Sequence, residues 1–95
     1  MRRSLLDILA CPIDKFYPLE LFEINTFNDS KISELIIKEG VLYCPKCSRF
    51  YPITDEIPIM LPDDLREKDK DIKFLQTWKG HIPEKIIKHG NPWHL

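Results

Sequence analysis

Apolar and polar positions change their period several times along the chain. Leu5, Ile8 and Leu9 recur at helical spacing behind Ser4, with Asp7 three residues after that hydroxyl. This predicts a capped helix of about two turns, ended by Pro12, with Leu5, Ile8 and Leu9 facing the core. Residues 17–24 alternate loosely and run into Asn25, Asn28 and Asp29, which predicts a strand closed by turn residues. The next stretch reads two ways. Asp29 or Ser30 can cap a short helix through Ile32, Leu35, Ile36 and Lys38 that Gly40 closes. The same isoleucines suit one arm of a long hairpin.

Residues 41–44 and 50–53 are predicted strands around a tight turn at Cys44-Pro45-Lys46-Cys47. A second turn at Thr54-Asp55-Glu56 leads into a last apolar strand, Ile57-Pro58-Ile59-Met60-Leu61. Pro58 has no N–H to give to a ladder, so this strand belongs at a sheet edge, where unpaired backbone invites another chain. Residues 63–71 are almost all charged and read as a solvated helix or linker. Ile72, Leu75 and Trp78 then make a helical stripe closed by Gly80. Residues 83–90 form a further short helix, with Pro83 early, His89 in the last turn and Gly90 just past it. The fold class is α+β: a small zinc-ribbon-like antiparallel sheet with a short N-terminal helix and a helical C-terminal tail. Residues 1–62 make the ribbon, with 25–40 as an insert, and residues 63–95 a linker and extension.

Composition narrows the function. The chain has 95 residues, 43% hydrophobic, and a net charge of −1. One domain of this length buries only about 60–65% of the surface its unfolded chain exposes, so a metal staple is useful to it. Residues 1–71 carry a net charge of −4 and residues 72–95 a net charge of +3. An acidic ribbon argues against a free-standing zinc ribbon that binds nucleic acid or a transcription complex. The tail's few lysines are a weak footprint for RNA. No apolar run reaches the roughly 18–20 residues of a membrane span, no secretory leader is visible, and the odd cysteine count suits the cytoplasm.

Cys44-x-x-Cys47 sets two thiolates on one turn, as a zinc knuckle requires. A redox motif would place a helix N-terminus just after the first cysteine, whereas Phe50-Tyr51-Pro52-Ile53 is strand material. Cys11-Pro12-Ile13-Asp14 repeats the internal spacing with an aspartate in the last place, so Cys11, Asp14, Cys44 and Cys47 are a candidate Cys3Asp metal set. Buried free thiols, or a disulfide between Cys44 and either Cys47 or Cys11, remain the alternatives. His81, His89 and His94 lie in the tail, and no nucleophile, phosphate-loop or metalloprotease motif is present, so the chain is not expected to be an enzyme.

The string LLDILACP, followed by CPKC and YPITDEIPIMLP, resembles the multifunctional methyltransferase subunit of the Trm type and its short bacterial relatives. The resemblance spans residues 4–62 and leaves 63–95 uncovered. It implies a noncatalytic, zinc-binding activator of S-adenosylmethionine-dependent methyltransferases that act on tRNA, ribosomal RNA or a translation release factor. It also implies binding by strand addition to the catalytic subunit. Asp14 stands where the family has a cysteine and Glu56 where it often has glycine. The length of residues 25–40 is similar to archaeal members. On this reading Phe50, Tyr51, Ile57, Ile59, Met60 and Leu61 supply the partner-contacting strands, while Trp78 and Trp93 either fold back on the ribbon or dock on the partner.

Overall fold

The computed structural model describes residues 1–31 and 33–95. Four strands form one antiparallel sheet in sequence order: β1 (Glu20–Asp29), β2 (Glu34–Tyr43), β3 (Phe50–Thr54) and β4 (Ile57–Pro58). The helix α1 (Lys68–Thr77) and the short helix α2 (Glu84–His89) follow. The alternative open at residues 29–40 resolves as the hairpin arm, Ile32 itself lying outside the described residues. Asp29 does not cap a helix. Its carboxylate accepts the Lys31 N–H at 2.9 Å, an Asx-type contact that turns the chain back so that Phe27 pairs with Ile36 and Thr26 with Ile37. The register shifts on both sides of Asn25, as at β-bulges.

The N-terminal element is a tight 3-10 turn over Arg3–Ile8 rather than an α-helix, and the Ser4 side chain caps nothing. Leu5, Leu6 and Leu9 pack against the core, but Ile8 is 75% exposed, which corrects its place on the inward face. At 3-10 spacing residues three apart eclipse, so Leu6 and Leu9 share the inward side, and Ile8 closes the turn in solvent.

The β3–β4 connection follows the sequence reading closely. Thr54 pairs with Ile57 around a two-residue turn in which Asp55 (φ 49°) and Glu56 (φ 71°) are both left-handed. That is the backbone of a type I′ hairpin, here built without glycine. The Ile59 N–H reaches the Pro52 carbonyl at 2.8 Å, but Pro52 has no N–H to return, so the ladder stops and β4 is shorter than the expected five residues.

Residues 40–43 are all buried, so β2 is covered on both faces. On one face Leu42, Cys44, Tyr51 and Ile53 meet the N-terminal segment. On the other, Val41, Tyr43 and Phe50 meet Phe74, Leu75, Ile82, Ile86 and Ile87 of the C-terminal helices. Trp78 and Trp93 also pack against this second layer, so the tail covers the ribbon. Several ties hold it there, Lys85 to Glu20 (2.9 Å) among them. Arg49 grips Asp63 with two hydrogen bonds (2.9 and 2.7 Å). Arg66 donates to Asp71 (3.0 Å) and to the Phe50 carbonyl. Asn91 bridges to Ser48 and Phe50 through its backbone.

Candidate metal centre and open sheet edge

Both predicted knuckles form, and they are built alike. In the first, the Cys11 N–H bonds the Phe16 carbonyl (3.0 Å) and the Lys15 N–H bonds the Cys11 carbonyl (2.9 Å). In the second, the Cys44 N–H bonds the Arg49 carbonyl (2.9 Å) and the Ser48 N–H bonds the Cys44 carbonyl (2.8 Å). Lys15 (φ 64°) and Ser48 (φ 62°) turn left-handed at equivalent places. At the ligand positions the two loops differ in the fourth place, where Asp14 stands for Cys47.

The topology then brings the loops face to face. One ligand atom from each of Cys11, Asp14, Cys44 and Cys47 lies within 4.8 Å of all the others. The Cys11 and Cys47 sulfurs are 3.7 Å apart, and the Cys44 sulfur is 3.5 and 3.6 Å from the Asp14 carboxylate oxygens. A tetrahedral ion with bonds of about 2.3 Å to sulfur and 2.1 Å to oxygen would separate its ligands by about 3.8 Å (S to S) and 3.6 Å (S to O). The four side chains therefore fit a metal ion with little adjustment. All three cysteines are free thiols rather than disulfide-bonded.

The surroundings pre-set the charge of each ligand. Burial raises the Cys11 thiol, but the Tyr51 hydroxyl at 3.1 Å and the backbone amides of Asp14 and Ile13 outweigh it, so the net shift is downward. Desolvation dominates at Cys44 and pushes its thiol up to about 12. The Phe16 N–H, 2.9 Å from Oδ1, holds the Asp14 carboxyl down to about 2. Three thiolates and a carboxylate exceed the charge of a divalent ion by two, and Arg49 offsets part of that excess. Its guanidinium bonds Asp63, which holds its proton more tightly, and the nearby Cys47 acts in the same direction.

The sequence offers Phe50 and Tyr51 as partner contacts. Both are fully buried in this chain, Tyr51 beside Cys11 and Phe50 under the C-terminal layer. Their side chains are spent inside the protein. The run of buried residues from 40 to 43 is the signal that both sheet faces are covered, and it bears on the neighbouring strand as well. Sequence reading also missed Asn91, whose Nδ2 donates to the Cys47 carbonyl at 3.0 Å. The histidines lie outside the ligand cluster: His94 bonds the Gly90 carbonyl at 3.2 Å, and His89 ends α2.

Past the hairpin, the outer edge of the sheet is open. Ile57 is 60% exposed, and Ile59, Met60 and Leu61 are half-buried. Met60 packs toward the N-terminal layer, while Ile59 and Leu61 face the α1 side, the alternation of an extended chain. Among the described residues, no helix is long and apolar enough to cross a membrane.

A family model described as Trm112p-like protein matches residues 2–56. A UPF0434 protein of Nitrosococcus oceani is 36% identical over 73 residues, covering 75% of this chain and 95% of that protein. One from Rhodopseudomonas palustris is 45% identical over 65 residues, covering 68% and 76%. Among solved structures, a complex between the Haloferax volcanii Trm112 methyltransferase activator and a candidate methyltransferase contains a similar chain. It is 41% identical with a TM-score of 0.57, and the match covers 70% of this chain and all of that one.

Proposed function

The chain belongs to the Trm112p-like family, and from that premise we propose that it is the noncatalytic activator subunit of S-adenosylmethionine-dependent methyltransferases. Their substrates are tRNA, ribosomal RNA or a translation release factor. The observation that carries this reading is the likeness to an activator solved together with a candidate methyltransferase, joined to an unpaired apolar edge on this chain's own sheet. Binding adds a strand of the catalytic subunit beside residues 57–61, with Ile57, Ile59, Met60 and Leu61 in contact. Main-chain hydrogen bonds supply affinity there and alternate side chains supply selectivity. Covering that edge also removes an aggregation hazard.

The ion at Cys11, Asp14, Cys44 and Cys47 is zinc, which favours a small tetrahedral, thiolate-rich set. Its role is structural. It joins the N-terminal segment to the β2–β3 turn and so fixes the sheet whose edge receives the partner. Residues 1–62 are the working unit of this design and residues 63–95 an extension that backs it, with the whole acting in the cytoplasm.

Purification of the protein from its own cells, with mass spectrometry and metal analysis on one sample, tests this. Recovery of a methyltransferase near equal stoichiometry, with one zinc per chain, is expected. Recovery of RNA polymerase or nucleic acid alone would overturn it.

A further inference from the structure

Beside the open edge lies a cavity of about 320 Å³ between the sheet and α1. Its apolar walls are Pro52, Ile59, Leu61 and Phe74, and Lys70 stands among its polar lining residues. That volume is at the small end for ligand pockets and suits one large side chain. Arg66 lines it as well. The Arg66 side chain is 2% exposed, its Nε is taken by Asp71 and its Nη2 by the Phe50 carbonyl, but Nη1 is buried with no hydrogen-bond partner. The guanidinium lies 4.8, 5.2 and 5.9 Å from the Phe50, Tyr51 and Trp93 ring centroids, so it closes the inner wall of the cavity rather than presenting a free donor to it.

The cavity's position says what could enter it. Ile59 and Leu61 point to this side of the edge, so a strand added beside residues 57–61 would send alternate side chains to the same side, over the opening. The helical wall comes from residues 66–74, beyond the segment the family model matches. The helical wall is thus supplied by residues outside the 1–62 ribbon.

We propose that this cavity is a selectivity pocket for one large apolar side chain of the added methyltransferase strand. This rests on the strand-addition reading above and goes beyond it, since it assigns the extension a part in choosing the partner.

The test uses the full-length chain in complex with the methyltransferase recovered from its cells. A benzoylphenylalanine photocrosslinker is placed at position 70 on the cavity, at position 57 on the edge, or at position 34 at the far hairpin tip. In parallel, Thr54→Trp, at an exposed lining residue, fills the cavity from the solvent side. Crosslinks from positions 70 and 57 to one methyltransferase strand, none from 34, and at least tenfold weaker binding by Thr54→Trp with unchanged metal content are expected. Crosslinking from 57 but not 70, with Thr54→Trp binding like the parent, would overturn the pocket and leave strand addition standing. A complex that crosslinks from neither 57 nor 70 would overturn both.

Discussion

Replacing Tyr51 with phenylalanine removes a single oxygen from the interior, the one 3.1 Å from the Cys11 sulfur. The ring keeps its place in the core, because Tyr51 is fully buried and packed among Leu42, Cys44 and Ile53. What is lost is a hydrogen bond to a thiolate, and bonds to charged groups are worth about 1.5–3 kcal/mol. Cys11 retains the backbone amides of Asp14 and Ile13, so the lower half of that range applies. At about 1.4 kcal/mol per tenfold, zinc should bind roughly ten- to thirtyfold more weakly. Partners in the outer shell of a metal site commonly cost about 10–100-fold when removed, which agrees. Competition against a chromophoric chelator at neutral pH gives the dissociation constant, and release kinetics give the off-rate. Tyr43→Phe is the control, since Tyr43 is also buried but lies on the opposite sheet face. An unchanged dissociation constant for Tyr51→Phe, or equal weakening by both variants, would refute the assignment of this hydroxyl to the metal centre.

Asp14→Cys should tighten zinc binding by completing a four-thiolate set, and the cobalt-substituted protein should gain thiolate-to-metal absorption in proportion to a fourth sulfur. Glu56→Gly should raise stability by about 0.5–1 kcal/mol in urea titrations, because the left-handed backbone at φ 71° costs a side-chain-bearing residue more than glycine. The Arg49 guanidinium holds the Asp63 carboxyl below its ordinary value. The depressed value means that the pair's stabilisation is complete above the unfolded carboxyl value of about 4 and is lost as pH falls through the folded value. Asp63 is 40% exposed, so the contribution is held below about 1 kcal/mol by solvent screening. Asp63→Asn should therefore be less stable than the parent at pH 7, with the gap closing as urea midpoints are followed below pH 4.

Much of the metal centre was legible because its chemistry is local. Two Cys-Pro-x-(Asp/Cys) loops each set their own backbone, and a strand pair brings them together. The edge was legible through Pro58, and the β3–β4 hairpin through its spacing, although nothing in Asp55-Glu56 announces a type I′ turn. What escaped was decided by distant packing. Residues 33–38 carry isoleucines that serve helix or strand, and pairing with β1 chose strand. Phe50 and Tyr51 look like a sticky aromatic pair in sequence. The N-terminal segment and the C-terminal helices bury them on opposite sheet faces, and neither contact has a periodic signature. The N-terminal segment likewise forms a 3-10 turn over Arg3–Ile8 rather than an α-helix, and Ile8, its last residue, stays exposed.

On the proposed function, this chain supports catalysis by another protein through its open edge. The direct measurement is S-adenosylmethionine binding and methyl transfer by the recovered methyltransferase alone, with the parent chain, and with Ile57→Asp. Ile57 is solvent-exposed, so that substitution should leave the fold and the metal content intact. The account predicts strong cofactor binding and methyl transfer only with the parent chain, and their loss with Ile57→Asp. A methyltransferase equally active by itself, or equally stimulated by Ile57→Asp, would contradict it.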